Sequence, residues 1–272
     1  MRWIFIRLQG ARREHNGLCD RRATQKPDKK QSRWVSYLLP IPLNHVIEKG
    51  DIMDAIECIK KRMSIRAFKP EKVPKDLLIE VVNIAKWSPS YKNSQPWEII
   101  ILSGAKKEAL SKMMVELLTK GVGPTPDLPE PQFWPSAEES RISHLYKTKS
   151  EATGIDLKDP ELVRKSKKVN FNFYYAPHAI YLFQDSSLSL WSLFDIGLFA
   201  QSLMLAAHAK GLGTVPQAFS TDYAKQIKNF LSIPETKRLV IGLSIGYPDL
   251  ESPINKFRTD RVETEKLVSW LE

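Results

Sequence analysis

Three observations predict an α+β fold for this 272-residue chain. Helical periodicities outnumber strand-like runs. The two kinds of element follow one another in mixed order, with no regular strand–helix alternation. And 42% hydrophobic residues suffice for one sizeable core, without an internal repeat or a second domain.

The elements follow in order. Asp54 to Arg62 reads as a first helix, with Ile56, Ile59 and Met63 on one apolar face. Pro74 occupies a first-turn position, and Leu77, Leu78, Val81, Val82 and Ala85 form the stripe of a second helix, stopped before Pro89. Trp97 to Leu102 is a continuous apolar run and predicts a strand buried on both faces. A third helix spans Ala105 to Thr119. Residues 121–136 carry five prolines and predict a long extended loop of the kind that often serves function. Ser136-Ala137-Glu138-Glu139 reads as a capping box opening another helix. His178 to Phe183 and Arg238 to Ile245 are further strands. Between them, Trp191 to Lys210 is a helix apolar nearly all round, ended at Gly211 and suited to the fold's centre or a subunit interface.

Charge is unevenly placed. Residues 1–52 hold eleven Lys/Arg against five Asp/Glu and so carry +6 of the formal +10. The other 220 residues carry only +4, which argues against a nucleic-acid-binding body. The leader has no sustained helical or strand period. A transit peptide, a disordered basic arm, and an untranslated stretch with the natural start at Met53 all fit it. The purine-rich codons open to Lys49-Gly50-Asp51, like a ribosome-binding site just upstream of Met53, favour the last. The domain is therefore drawn over 53–272. No run of eighteen apolar residues occurs, and neither Cys19 nor Cys58 sits in a metal or disulfide motif. A cytoplasmic protein without membrane or nucleic-acid partners is expected.

Four segments carry chemistry. Arg62, Ser64 and Arg66 alternate with Met63, Ile65 and Ala67. In an extended segment that period puts two guanidinium groups and a hydroxyl on one side, a phosphate cradle. Taken alone, a helix end finished with basic residues is the more usual reading of the same letters. Pro89 to Trp97 is a proline-bounded turn with Ser90, Asn93 and Gln95, able to meet the edge of a flat heterocycle or to satisfy its own backbone. Gly211-Leu212-Gly213 is either a close backbone approach or a plain helix end. Asn255-Lys256-Phe257-Arg258 again reads with period 2, placing Lys256 and Arg258 together. No GxGxxG follows a strand, and GxSxG and HExxH are absent. His208 reads as a satisfied core histidine and Asp195 as structural.

Order and spacing over residues 53–272 resemble the FMN-dependent nitroreductase superfamily. The resemblance rests on Arg62-x-Ser64-x-Arg66, Pro89-Ser90-x-x-Asn93-x-Gln95-Pro96-Trp97, Ala176-Pro177, Asp195-x-Gly197, Gly211-Leu212-Gly213, Pro216-Gln217, Gly246-Tyr247-Pro248 and Lys256-x-Arg258. It implies a mostly antiparallel central sheet flanked by helices, in an entwined homodimer with two FMN sites at the interface. Arg62, Ser64 and Arg66 would hold the FMN phosphate and ribityl chain, joined by Lys256 and Arg258. Pro89, Ser90, Tyr91 and Asn93 would meet the isoalloxazine of the other subunit. Pro216, Gln217 and Ala218 would border the flavin, with an amide there reaching N5. The implied activity is a ping-pong transfer from NAD(P)H to nitroaromatics, quinones or similar acceptors, with no protein acid or base required. A reductive dehalogenase on the same fold, or a non-catalytic flavin- or nucleic-acid-binding protein, is the alternative. Residues 120–175 match the resemblance only loosely, so the acceptor is not implied.

Overall fold

The computed structural model describes residues 54–154 and 159–272. The leader read over 1–52, and the start read at Met53, lie outside the described residues. Four strands form one antiparallel sheet: β1 (Glu98–Ser103), β2 (His178–Asp185), β3 (Gly213–Gln217) and β4 (Lys237–Gly246), in the spatial order β1-β2-β4-β3. Their pairings, such as Ile101 opposite Ile180 and Ile180 opposite Leu243, agree with the antiparallel α+β expectation.

Strand β2 is central and shows why the sheet is covered on both faces. Side chains alternate along a strand. Ile180 and Leu182 face α2 (Lys75–Ala85) and α6 (Ser192–Ala209), joining Val81, Phe199 and Leu203. Ala179, Tyr181 and Phe183 face the opposite layer, with Leu110 and Met114 of α3 (Gly104–Thr119), Phe171 of α5 (Pro160–Phe171) and Ile227 of α7 (Ala224–Leu231). Truncating one such buried aromatic costs about 3–5 kcal/mol, because the cavity does not collapse. Helix α6 is long and apolar enough by composition to cross a membrane. Its buried face instead packs on α2 and the sheet, and its Asp195 is 2% exposed.

The helix end at Gly211 is as expected. With φ +74°, Gly211 permits the N–H of Leu212 to reach Ala207 O (2.9 Å) and its own N–H to reach His208 O (3.0 Å).

Several expectations need correction. In α1 (Ala55–Lys61), Ile56 and Ile59 are exposed and Cys58 is the buried residue, so the apolar face points out of the chain. Strand β1 is a sheet edge, and its Ile99, Ile100 and Ile101 are half-buried; the protomer alone does not cover both faces. The capping box is absent from α4 (Ser136–Thr153). Glu139 N bonds Pro135 O at 2.9 Å, so Pro135 is the cap and Ser136 already lies inside the helix. The proline-rich loop is pinned: Asp127 accepts both from the ammonium of Lys228 (3.1 Å) and from Leu239 N (2.7 Å). Helices α5 and α7 and strand β3 were not expected.

Candidate active site

The segment after α1 is extended and runs beside β3. Ser64 bridges Thr214 in parallel register, and Ile65 N donates to Thr214 O at 2.9 Å. Ile65 is buried directly over Gly213. A Cβ there would lie 2.7 Å from Ile65 Cγ1, so the second glycine serves close approach. The backbone N–H of Arg66 donates to Asn255 Oδ1 (2.7 Å), and Asn255 Nδ2 donates to Ala67 O (2.8 Å) and Asp249 O (2.7 Å). Asn255 thereby fixes the strand-like path that carries Arg66.

Arg66 opens into a cleft of about 390 Å³ at the end of β3. Pro216, Gln217 and Ala218 form one wall. Lys149 of α4 and Lys167 and Asn170 of α5 form another, with Tyr146, Tyr174 and Phe219 supplying rings. The wall at β3 is rigid. The Gln217 amide, 2% exposed, donates to Asn170 O (2.9 Å) and accepts from the Ser244 hydroxyl. The one proton of that hydroxyl is shared with Phe173 O, 2.8 Å away. That bond anchors an unusual turn: Phe173, Tyr174 and Tyr175 all have left-handed φ (53°, 52°, 58°). Such a conformation costs roughly 1–2 kcal/mol per residue. Here it aims Tyr174 at the cleft, a place where strain and function coincide.

The electrostatics are cationic. Burial, and then the Arg66 guanidinium, push the Lys149 ammonium below the ordinary lysine range. The Lys167 ammonium sits 4.9 Å from the Phe219 ring centroid, a cation–π contact. Glu130 of the proline-rich loop is the acidic residue on the rim. Just behind Phe219, burial raises the Asp222 carboxyl to about 6, opposed by Lys167 and reinforced by Glu130.

Other candidate residues sit apart from this cleft. Arg62 borders a neighbouring cavity of about 370 Å³ with Met63 and His208. Burial, Arg261 and Arg258 lower its guanidinium, so three arginines gather there without a compensating carboxylate in that balance. His208 is not the satisfied histidine expected: its buried Nε2 finds no partner among the described residues. Burial, then Arg62, Arg258 and Lys61, lower its pKa. The period-2 reading of 255–258 is also corrected, because Asn255 and Lys256 belong to the one-turn helix α8 (Pro253–Lys256). Lys256 points to Glu251 (3.4 Å), and Arg258 donates to the carbonyls of Lys61 (2.9 Å) and Lys60 (3.0 Å), finishing α1. Phe257 separates them and lines the cleft.

The turn after α2 does not line its own chain's cleft. Ser90 Oγ accepts from Gln95 N (3.0 Å), and Asn93 N donates to Ser90 O (2.9 Å). Lys92, Asn93 and Gln95 have left-handed φ (52°, 55°, 46°). Both carboxylate oxygens of Asp195 accept from Tyr91 N, at 3.1 and 3.2 Å, so Asp195 is structural as read. Trp97, stacked on Phe199 at 4.8 Å, holds the far end, which leaves Pro89 and Tyr91 to Gln95 exposed.

Sequence reasoning missed Lys149, Lys167, Asn170, Tyr174 and Phe219. A signal existed for two of them. Val163, Ser166, Lys167 and Asn170 share one helical face, and Asp159-Pro160 is a helix start in which Asp159 caps Glu161 N at 2.8 Å. The left-handed aromatic turn has no sequence signal.

The fold and this cleft define an α+β protein with a cationic, ring-walled ligand site at the end of an edge strand. Residues 59–247 match the nitroreductase family, and the chain belongs to that family. It is 32% identical over 220 residues to a 4-nitrobenzoate reductase of Pseudomonas putida, covering 78% of this chain and 92% of that one. It is also similar to the crystal structure of the FMN-dependent nitroreductase NfnB from Mycobacterium smegmatis in complex with NADPH. There the TM-score is 0.76 at 29% identity, over 80% of this chain and 98% of that one. The FMN and NADPH-dependent nitroreductase NfnB from Sphigopyxis sp. strain HMH gives a TM-score of 0.78 at 26% identity, over 81% and 100% of the two chains.

Proposed function

We propose that the protein is an FMN-dependent oxidoreductase that passes electrons from NAD(P)H to nitroaromatics, quinones or similar acceptors. The observation that carries this reading is the cleft itself. Arg66 brings cationic charge, without an ion-paired carboxylate among the described residues, to a slot walled by rings and by the end of β3. These residues fit a flat anionic cofactor, and the relatives' names agree. Bound there, FMN supplies hydride acceptance and electron delivery.

The chain's residues supply position and field. Arg66, whose backbone N–H is held by Asn255 Oδ1, would bring its guanidinium to the phosphate and ribityl chain of the cofactor. The Gln217 side chain is occupied by Asn170 and Ser244, so it locks the Pro216–Ala218 backbone against the cofactor and makes no direct side-chain contact. Arg62 and Arg258, which gather with Arg261, and Ser64 would serve the phosphate end. Lys256 reaches the phosphate only by leaving Glu251.

The site is read as completed by a second copy of the chain. Pro89, Tyr91 and Asn93 face away from their own cleft, as residues serving a partner's flavin would. Apolar side chains are also left outward: Ile56, Ile59, Trp87 and Phe194 are 59–85% exposed in the protomer. A homodimer that buries them accounts for the outward faces of α1 and α6. Cys58 is a free buried thiol, in keeping with a cytoplasmic protein, and the functional domain is read over 53–272.

The test is direct. Purified protein reconstituted with FMN is expected to retain a visible flavin spectrum, to run as a dimer in light scattering, and to oxidise NAD(P)H in the presence of 4-nitrobenzoate. Colourless protein that cannot be loaded with FMN overturns the reading.

A further inference from the structure

Even with Glu130 on its rim, the cleft holds more cations than the Arg66 that the flavin reading uses. Two further ammonium groups, Lys149 from α4 and Lys167 from α5, line the same slot. Neither is ion-paired among the described residues, and Lys149 is half-buried. Lys167 is kept in place by the Phe219 ring, which engages its charge but none of its N–H donors with an acceptor. Tyr146 and Tyr174 line the same slot, the latter in a left-handed conformation beside the Ser244–Phe173 bond. Rings that flank a flat molecule, with two cations at its edge, match an aromatic acid better than a neutral arene. A partly desolvated ammonium gains more from a carboxylate than a surface one does, and loses that gain entirely when the carboxylate is absent.

We propose that Lys149 and Lys167 form a carboxylate subsite for the electron acceptor, so that nitroaromatic acids are preferred over neutral nitroarenes. This rests on the reading of the cleft as the flavin site. The competing sources of an anion are the flavin itself and the phosphates of the pyridine nucleotide.

The experiment uses FMN-loaded protein and the ratio of kcat/KM for 4-nitrobenzoate to that for nitrobenzene. The native ratio is expected well above one. It falls about tenfold in Lys167→Gln and in Lys149→Gln, the loss of one charge-assisted contact. Lys167→Arg keeps the ratio. Benzoate, titrated into oxidised protein and followed by the flavin absorbance band, binds about tenfold more weakly to both Gln variants. The FMN dissociation constant and the NADPH-to-NADH ratio stay as in the native protein. A native ratio near one, or an unchanged ratio in both Gln variants, overturns the proposal. So does a loss confined to FMN affinity, which assigns the lysines to the cofactor, or to NADPH, which assigns them to the nucleotide. Failure to load FMN at all is a separate result and falls on the flavin reading.

Discussion

The strand end at Pro216–Ala218 and the turn at Tyr91–Gln95 are built in opposite ways. At the strand end, Gln217 is buried and its amide is engaged from both sides, by Asn170 and Ser244. In the turn, five consecutive residues are exposed, and three of them hold left-handed φ. The turn's tie to the rest of its chain is the pair of bonds from Tyr91 N to Asp195, with Trp97 stacked behind it. The strand end is finished within one protomer. The turn stores local strain on an exposed surface. A rigid wall and a strained, outward-facing turn are what the proposed site shared between two copies would require.

Mutations at the two regions should therefore separate. The largest effect is expected at Gln217→Ala, which opens a cavity and strands the buried Asn170 carbonyl, leaving the Ser244 hydroxyl to Phe173 O alone. A loss of about 3 kcal/mol of stability should appear as a lowered denaturant midpoint. Next is Arg66→Ala. Without the guanidinium, FMN affinity is expected to fall by roughly 10–100-fold in a fluorescence titration, while the chemistry of flavin still bound changes far less. An unchanged FMN affinity would remove Arg66 from the cradle.

The strand-end side should also respond to pH, through Asp222. Its carboxyl is raised to about 6 in the fold, above the ordinary value of 3.8. The folded state thus holds the proton more tightly than the unfolded state. The associated stability is full below about pH 4 and is lost as pH rises through about 6, by roughly 2 kcal/mol. Asp222→Asn should flatten that decline in thermal melts. The smallest effect on stability is expected at Asp195→Ala, about 1 kcal/mol. There the informative measurement is hydrogen exchange: Tyr91 to Gln95 should exchange faster, while Gln217 to Phe219 do not change.

The same contrast governs what the sequence made legible. Strands β2 and β4 and helices α2 and α6 were readable because continuous or periodic apolar runs meet a covering layer within the chain. Strand β3 was not, because Gly213 and Pro216 weaken its strand signal; Pro216 is tolerated there because β3 is an edge. The Arg62–Arg66 alternation was legible as an extended segment, but not which cleft each arginine enters. Arg62 and Arg66 face different cavities because Arg62 still caps the end of α1, whereas Arg66 lies in the extended segment that Ser64 bridges to Thr214. The outward face of α1 misled because apolar periodicity marks burial, without saying whether the same chain or a second copy does the burying. Lys149 was invisible for a related reason: its importance comes from proximity to Arg66 across the fold.

The most direct test mixes two defective chains. Protein carrying Arg66→Ala and protein carrying Asn93→Ala are each expected to retain FMN poorly. Unfolded together and refolded as mixed dimers, one of the two sites in each mixed pair combines the native Arg66 of one chain with the native Asn93 of the other. Flavin retention and nitroaromatic reduction should then reappear in the mixture. Retention that stays at the level of the separate variants would mean that each turn serves its own chain's cleft, and would contradict the shared site.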